Sequence, residues 1–367
     1  VTTEHPAGKR EENIDGIFVY YLTGSSSERY GAFRKSVAQF LSGHGGYFDL
    51  VHSQSIAAGS YLRSPHRRPV VCTMHGTFFT ESTLSPVYLR RLNYLYRGLV
   101  VLKHFDMIVK QYTIFRSAIE LADGLIVGSQ YTKRQLSNLV PEASAKTKII
   151  PHGIDLGTYQ VMDKDWARQK IQVIARRRIN QPVILVVARL EKPKGVQVAI
   201  QALGLLREIL GKKFNEVTLL VVGEGTYRCD LEKMAIRMNL ENVVFLGRVS
   251  EGLLPVVYNA ADLFVNPDLT EPAFGLVSVE AMACGLPVVA SNAGAMPEIV
   301  DDTVGRLFPS GDARSLAKIL SELLQDEEKR VRLGTQAAQK ARLCFDAKRM
   351  VKETVAFYEE ILSARGR

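Results

Sequence analysis

The chain has 367 residues, of which 46% are hydrophobic and 23% charged, and its formal net charge is +9. This length predicts two domains with ample core, and the composition is that of a globular protein rather than a disordered or fibrous one. The positive charge suits an acidic partner, such as nucleotide phosphates, anionic lipid or nucleic acid. No apolar run reaches about 18 residues, so we expect no membrane-spanning helix.

The cysteines favour a reducing compartment. Cys72, Cys229, Cys284 and Cys344 are scattered with no paired spacing. A secreted protein of this kind would be expected to pair them, and no signal peptide is visible. We therefore expect a cytoplasmic protein.

The first 150 residues alternate short apolar strands with helical segments. The pattern predicts, in chain order, a strand over 16–22, a helix over 29–41, a strand over 48–53, a short helical segment over 56–62, a strand over 69–74, a helix over 115–121, a strand over 122–128, a helix over 130–139 capped by Ser129, and a strand over 148–151. Helices between short strands predict an α/β domain with a parallel sheet.

One histidine of this half has a suggestive position. His75 lies just past the strand predicted over 69–74, where open α/β sheets bind ligands. The plain alternative is a loop histidine that is bonded to local backbone.

The segment 85–110 is long, apolar and basic. Arginines and lysines alternate there with tyrosine, leucine and valine. It is either a helix at a membrane surface, with its basic side chains facing anionic lipid, or a domain helix with solvated basic positions. Its large apolar circumference favours at least partial burial.

From residue 182 the pattern becomes regular. Strands are predicted at 183–187, 217–222, 243–246, 263–266, 288–290 and 306–308, and helices at 196–210, 231–238 and 253–260. Two charged helical segments, joined near 344–346, are predicted for 312–362. This half therefore reads as a Rossmann-like, doubly wound domain.

Distinctive residues follow the C-terminal ends of successive strands in this half. They are Arg189 and Lys194 after the first strand, Gly223 after the second, Arg248 and Val249 after the third, Glu271 after the fourth, and the run SNAGAMPE after the fifth. Each loop alone is weak support, because basic loops and glycine turns are common. Together they predict a ligand crevice at one edge of the sheet. The only D-x-D motif, at 163–165, lies in a charged helical stretch, and we interpret it as solvated rather than metal-binding.

The unit 261–300 carries the strongest pattern: a strand, a loop, a helix that begins near Gly275, and a second strand. Free amides near Phe274, Leu276 and Val277 at the helix start can hold an anion such as phosphate, and Gly275 lets backbone come close. The helix dipole contributes only about 0.3–1 kcal/mol, so other groups must converge. Two carboxylates, Glu271 and Glu280, frame the helix start, and sugar hydroxyls are their natural partner.

The segment 271–289, EPAFGLVSVEAMACGLPVV, resembles the signature of the family-4 retaining glycosyltransferases, which have the GT-B fold: two Rossmann-like domains facing across a cleft. The resemblance implies that Glu271 meets the donor sugar, that Glu280 holds the ribose, and that the backbone amides between them bind the diphosphate. It also implies that Arg189 and Lys194 contact the diphosphate and that His75 touches the transferred sugar. The family spaces its glutamates with seven residues between them, whereas eight separate Glu271 from Glu280, and Ala273 looks inserted.

The resemblance also implies the domain organisation. We expect an N-terminal acceptor domain over 1–152, whose first β-α-β unit is missing from this sequence, and a C-terminal nucleotide-sugar domain over 153–345. The family's junction motif is matched by PHGID at 151–155. A C-terminal helix within 346–367 would cross back to the N-terminal domain.

The expected activity is a metal-independent hexosyltransferase that retains the anomeric configuration and has no cofactor. Its donor would be a UDP- or GDP-sugar, and its acceptor a lipid, a glycan or a small molecule. Peripheral membrane contact through 85–110 is compatible with this function, and no nucleic acid is expected. The alternatives are a non-catalytic, nucleotide-sugar-binding or membrane-associated protein of the same fold, and an epimerase or phosphorylase of that fold.

Overall fold

The computed structural model describes residues 1–2, 9–22, 30–76, 109 and 112–365. Among these, residues up to 150 and from 352 onward form one compact unit, and residues 151–351 form another. The segment 85–110 lies outside the described residues, apart from a helical Val109. The interpretation of that segment therefore stays a prediction.

The chain begins with a β-hairpin that the sequence analysis missed. Strand β1 (Glu11–Ile14) pairs antiparallel with β2 (Ile17–Tyr20). Asp15 and Gly16 between them have φ values of 52° and 84°, as the two central residues of a type I′ turn require. The strand predicted over 16–22 is therefore only the second arm of the hairpin, and the Asp-Gly pair was the overlooked signal.

The rest of the first unit is a parallel sheet with the strand order β3-β4-β5-β6. The strands are β3 (Val51–Gln54), β4 (Val70–Met74), β5 (Gly124–Val127) and β6 (Thr147–Ile149). The helices are α1 (Tyr30–His44), α2 (112–121) and α3 (Gln130–Leu139), and the segment predicted over 56–62 is a 3-10 helix, Ala57–Arg63. Ser129 caps α3 by accepting from the Thr132 N–H, as predicted. Buried apolar side chains of these strands and helices form the core of this unit.

The second unit contains a parallel sheet with the strand order β12-β11-β10-β7-β8-β9. Its strands are β7 (Val183–Val187), β8 (Thr218–Val222), β9 (Val243–Gly247), β10 (Leu263–Asn266), β11 (Val288–Ser291) and β12 (Gly305–Phe308). The chain builds outward from β7 in one direction and then from β10 in the other. This is the Rossmann order, with its topological switch between β7 and β10. The Rossmann-like prediction for this half is confirmed.

Helices cover both faces of this sheet. They are α4 (Lys164–Ala175), α5 (Val196–Leu210), α6 (Arg228–Arg237), α7 (Leu254–Ala260), α8 (Leu276–Ala283), α9 (Met296–Ile299), α10 (Ala313–Gln325) and α11 (Glu327–Cys344). Strand β7 explains why two layers form, because its side chains alternate between two cores. Val183 and Leu185 enter one core, and Ile184 and Val186 enter the other. A continuous apolar run is what a strand buried on both faces needs.

The C-terminal region differs from the prediction of two helical segments, because it has three helices. Asp326 ends α10, and its carboxylate caps α11 by accepting from the Lys329 N–H at 2.8 Å. The last helix, α12 (Ala347–Arg365), packs from residue 352 onward with the first unit. Phe357 lies against Gly124, where a Cβ would clash with its ring. No helix in the described ranges has the length and apolar character needed to cross a bilayer.

Candidate functional site

The loops that follow β7 and β10 are joined at the topological switch. Lys194 donates to Asp268 at 2.7 Å, and the Leu269 N–H donates to the Pro193 carbonyl at 2.8 Å. Gly195 adopts φ +72°, and a Cβ there would lie 1.8 Å from the Pro267 carbonyl oxygen. Only glycine fits this close approach. The switch therefore places two of the predicted loops, those of Lys194 and Glu271, side by side.

The loops after β7, β8 and β9 are joined in the same way. The Gly223 N–H donates to the Gly247 carbonyl at 2.9 Å, and the Leu190 N–H donates to the Glu224 carbonyl at 2.8 Å. Gly223 has φ +130°, and a Cβ there would meet the Ala188 oxygen at 1.9 Å. The predicted approach of backbone at Gly223 is thus used, at least in part, to pack loop against loop.

Two guanidinium groups on this edge are exposed. Arg189 follows β7 and Arg248 follows β9, and neither side chain makes an ion pair or hydrogen bond with any residue that the structure describes. Val249, next to Arg248, is half-buried and packs on the core. Lys194 differs from both arginines, because Asp268 already neutralises its ammonium group. The unengaged positive charge therefore comes from the arginines.

The start of α8 is open at its backbone. Gly275 is the N-cap, with φ 113°, and no side chain caps the helix. Leu276 is exposed and Val277 half-buried, so this turn faces solvent on one side. Helix N-termini of this kind attract anions through their unpaired N–H groups. The Phe274 side chain is buried edge-on against His152, with ring centroids 5.0 Å apart, and the predicted role of its backbone amide stays a prediction.

The loop after β11 supports the loop before α8. The Ala295 N–H donates to the Pro272 carbonyl at 2.8 Å. Gly294 adopts φ +58°, and a Cβ there would lie 2.4 Å from the same carbonyl oxygen. Ala273, the residue that looks inserted, is only 3% exposed and belongs to the core. The extra residue is therefore accommodated by packing rather than as a surface bulge.

The two glutamates have different environments. Glu271 is half-buried, and its carboxylate makes no hydrogen bond or ion pair with the rest of the described chain. Glu280 accepts a hydrogen bond from the Tyr258 hydroxyl at 2.7 Å, and the Tyr159 hydroxyl also influences its carboxyl electrostatically. Burial raises the pKa of the Glu280 carboxyl, although both tyrosine hydroxyls act to lower it. Glu271 is thus available to a ligand, whereas Glu280 is held in place by the protein.

His75 lies in the first unit, where it follows β4 as predicted. It is exposed, and its Nε2 lies 2.6 Å from Oε1 of Gln54. His52, on the neighbouring strand, contacts the hydroxyl groups of Tyr358 and Thr73. Burial, together with the charge of His75, lowers the pKa of His52. The other predicted site residues all belong to the second unit, and the structure gathers them without His75.

The residues that sequence reasoning missed are the partners of the predicted ones. Asp268 is 74 positions from Lys194 in the sequence. Tyr258 and Tyr159 are 22 and 121 positions from Glu280. None of the three carried a signal in the sequence, because the burial of Asp268, which requires a partner, is evident only from the structure. The D-x-D aspartate Asp163 caps α4 by accepting from the Trp166 N–H. Within the described ranges, no cluster of three His, Cys, Asp or Glu side chains could hold a metal ion.

Comparison with known protein families matches both halves of the chain. The profile described as Glycosyltransferase Family 4 matches residues 1–158, and the profile described as Glycosyl transferases group 1 matches residues 167–340. The two matches follow one another in the order of the two units. The junction segment with PHGID lies at the end of the first match.

Curated relatives point the same way. The chain is 32% identical over 257 residues to a D-inositol 3-phosphate glycosyltransferase of Salinispora tropica, which covers 66% of this chain and 52% of the relative. It is 27% identical over 335 residues to an MMP alpha-(1->4)-mannosyltransferase of Mycolicibacterium hassiacum, which covers 90% of this chain and 75% of the relative. The chain spans about half the length of the inositol phosphate glycosyltransferase that it matches.

Solved structures agree on the fold. Sucrose-phosphate synthase from Thermosynechococcus elongatus superposes with a TM-score of 0.80 and 23% identity, and covers 99% of this chain and 88% of that one. Anabaena Alr3699/HepE, in complex with UDP-glucose, superposes with a TM-score of 0.68 and 24% identity. The match covers 96% of this chain and 86% of that one. These identities carry the fold alone. With the two family matches, they show that this chain is a member of the family-4 glycosyltransferases and has the GT-B fold.

Proposed function

We propose that this protein is a retaining glycosyltransferase that moves a sugar from a nucleotide-diphosphate sugar to an acceptor hydroxyl group. The observation that carries the proposal is the meeting of the β7, β8, β9, β10 and β11 loops at one edge of the second sheet. That edge presents a helix start without a side-chain cap, together with two arginines and a carboxylate that pair with no residue in the described part of the chain. The helix start and the arginines can bind a diphosphate, and the carboxylate can accept hydrogen bonds from sugar hydroxyls.

Each predicted residue has a role in this proposal. Arg189, Arg248 and the amides at Leu276 and Val277 would neutralise the diphosphate, whose negative charge grows as the glycosidic bond breaks. This would take the place of a metal ion. Lys194 would act mainly through Asp268, by holding two loops together.

The sugar end of the donor would meet carboxylates and a histidine. Glu280 would accept hydrogen bonds from the ribose hydroxyls, and Glu271 and His75 would contact the transferred sugar. The half-buried carboxylate of Glu271, which has no partner among the residues that the structure describes, supports this assignment. The role of His75 rests on the family resemblance and on its position after β4.

The donor base and the acceptor come from comparison only. One structural neighbour was solved with UDP-glucose, and several sequence relatives are mannosyltransferases, one of which is named for its dependence on GDP-mannose. Two relatives are named for phosphatidylinositol acceptors, which agrees with a lipid-linked acceptor. We propose a UDP- or GDP-sugar donor and a peripheral, cytoplasmic enzyme.

The test begins with a thermal-shift screen against UDP-, GDP- and ADP-sugars. A proper donor should raise the melting temperature in a concentration-dependent way. The selected donor is then incubated with candidate acceptors, nucleoside diphosphate release is measured, and the anomeric configuration of the product is read by NMR. An inverted product would contradict the retaining mechanism, and no stabilisation by any sugar nucleotide would contradict the proposal itself.

A non-catalytic sugar-nucleotide-binding protein is the second candidate. The observation in its favour is that Lys194, which the family resemblance assigns to the diphosphate, is already paired with Asp268. Donor binding without nucleoside diphosphate release, with every acceptor class tried, would favour this candidate.

A further inference from the structure

Two tyrosines act on the carboxylate of Glu280, one of them through a hydrogen bond. Tyr258, on α7, is fully buried and donates its hydroxyl to Oε2 at 2.7 Å. The Tyr159 ring lies 6.2 Å from that of Tyr258, at 64°, and the Tyr159 hydroxyl acts to lower the pKa of the Glu280 carboxyl. Neither residue belongs to the strand-end loops of the site. Glu280 is therefore positioned by elements behind the helix that carries it.

The position of Tyr159 is fixed by a turn. Asp155 accepts from the Gly157 N–H at 2.9 Å and from the Thr158 hydroxyl at 2.6 Å, and its carbonyl accepts from the Tyr159 N–H at 2.9 Å. These bonds close the segment that directly follows PHG. Tyr258 is fixed by the core, because its ring packs at 5.7 Å on Phe264 of β10. The turn at Asp155 and the packing on Phe264 thus fix the positions of the two tyrosines.

The hydrogen bonds offset the cost of burying a carboxylate. Burial raises the pKa of Glu280, and the two tyrosine hydroxyls act against that rise. The remaining titratable groups that face this cluster are Cys284, in the next turn of α8, and Glu251. Neither supplies positive charge. The tyrosine hydroxyls are therefore the groups here that favour the ionised form of Glu280, against the effect of burial.

The arrangement leaves part of the hydrogen-bonding capacity of the Glu280 carboxylate for a ligand. An ionised carboxylate offers about four lone-pair sites on its two oxygens. Tyr258 uses one site on Oε2, so further lone-pair sites of the carboxylate can accept from a ligand. A carboxylate with free lone-pair sites can accept hydrogen bonds from the two hydroxyl groups of a ribose.

We infer that Tyr258 and Tyr159 are positioning residues for donor binding, which hold the Glu280 carboxylate in the orientation that accepts the ribose hydroxyls. This inference rests on the proposed function. It adds two residues to the site and predicts that they act through Glu280 alone.

The experiment is a double-mutant cycle with donor affinity as the readout. Tyr258→Phe and Tyr159→Phe are each made in the wild type and in Glu280→Gln, and the dissociation constant of the donor found in the thermal-shift screen is measured by calorimetry. Each change should weaken binding roughly tenfold in the wild type, about what one hydrogen bond to a charged group contributes. The same changes should have little effect in Glu280→Gln, because the carboxylate is gone.

Tyr61→Phe is the matched control. Tyr61 is buried in the first unit, where its hydroxyl accepts from the Arg68 N–H at 2.9 Å. Its replacement also removes one hydrogen bond from a core tyrosine, and it should leave donor affinity unchanged. A general effect of losing a buried hydroxyl would appear in all three variants.

A second measurement needs no donor. The loss of melting temperature in Tyr258→Phe should shrink as the pH falls and Glu280 becomes protonated, because the lost bond is strongest to the ionised group. The loss in Tyr61→Phe should not depend on the ionisation of Glu280. A pH-independent loss in Tyr258→Phe would contradict the contact with the ionised carboxylate.

The outcomes separate the two proposals. A wild type that binds no sugar nucleotide rejects the proposed function, and the positioning role with it. A wild type that binds a donor, with Tyr→Phe variants that bind it equally well, rejects the positioning role and leaves the proposed function standing. Equal losses in the wild type and in Glu280→Gln also reject it, since the tyrosines would then act independently of the carboxylate.

Discussion

Lys194 and Asp268 form an ion pair at 2.7 Å that joins the loop after β7 to the loop after β10. Asp268 is 4% exposed and also accepts from the N–H and the hydroxyl of Thr270. A buried carboxylate of this kind requires its cation. The lysine that the family resemblance assigns to the donor diphosphate is thus, first of all, a structural residue at the topological switch.

We therefore expect Lys194→Ala to destabilise the protein by about 1–3 kcal/mol, because Asp268 loses its counter-charge. Urea unfolding, followed by circular dichroism, measures this. Lys192→Ala is the control: Lys192 is exposed on the same turn, and its side chain pairs with no other described residue. Equal stability of the two variants would show that the ion pair contributes nothing to folding.

In contrast to Lys194→Ala, the changes Arg189→Ala and Arg248→Ala should weaken donor binding and leave stability unchanged. Both side chains are exposed and unengaged within the described ranges, so unfolding should be unaffected. Donor affinity should fall roughly tenfold for each, as expected when a charge-assisted contact to phosphate is lost. Calorimetry with the selected sugar nucleotide measures this, and Arg237→Ala, exposed on α6, is the control. Unchanged affinity in both variants would remove the arginines from the proposed site.

The elements of the second unit could be predicted from sequence because their strands are buried on both faces. The run Val183–Val187 is apolar at every position, and the predicted and observed bounds of this strand agree. The loops could be assigned to one edge because parallel strands all end there. The start of α8 followed from Gly275, which lies at its N-cap.

The pairings between these elements could not be predicted. Lys194 and Asp268 are 74 residues apart, and the sequence analysis assigned Lys194 to the diphosphate and gave Asp268 no role. Tyr258 lies within the helix predicted over 253–260, and the partner of its hydroxyl is evident only from the structure. Local pattern reports which residues are buried, whereas partner choice depends on how the loops fold over the sheet edge. The hairpin at Asp15-Gly16 is different, since its turn signal was local and was overlooked.

Gly195→Ala should be one of the most damaging single changes in the second unit. The new Cβ would lie 1.8 Å from the Pro267 carbonyl oxygen, so the two switch loops must separate, and φ is +72° as well. We expect a loss above the roughly 1–2 kcal/mol that a left-handed backbone costs a non-glycine residue. Gly16→Ala is the matched control, because its φ is +84°, in a type I′ turn, but nothing lies within 4 Å of the added carbon. Thermal unfolding of both variants separates crowding from backbone strain, and similar melting temperatures would contradict the crowding argument.

Asp123 holds the last helix to the first unit, and its contribution should depend on pH. It accepts from Arg67, from the Val70 N–H at 2.7 Å and from Arg365 of α12 at 2.7 Å. Burial alone would raise the pKa of its carboxyl, but these hydrogen bonds and the two arginines outweigh burial and lower the pKa below 3.8. A carboxyl with a lowered folded pKa adds stability above the unfolded pKa, and that stability is lost as the pH falls through the folded pKa.

Asp123→Asn should therefore cost about 1–3 kcal/mol at pH 7, because two arginines lose their counter-charge. The difference from the wild type should hold down to about pH 4 and then shrink as the wild-type carboxyl is protonated. Melting temperatures between pH 7 and pH 3 measure this. Asp302→Asn is the control, since Asp302 is 91% exposed and its pair with Arg306, at 3.5 Å, should contribute well under about 1 kcal/mol. If the difference between Asp123→Asn and the wild type instead stayed constant down to pH 3, the charge of the carboxylate would not be what holds α12. The difference would then come from the hydrogen-bonding geometry of the side chain.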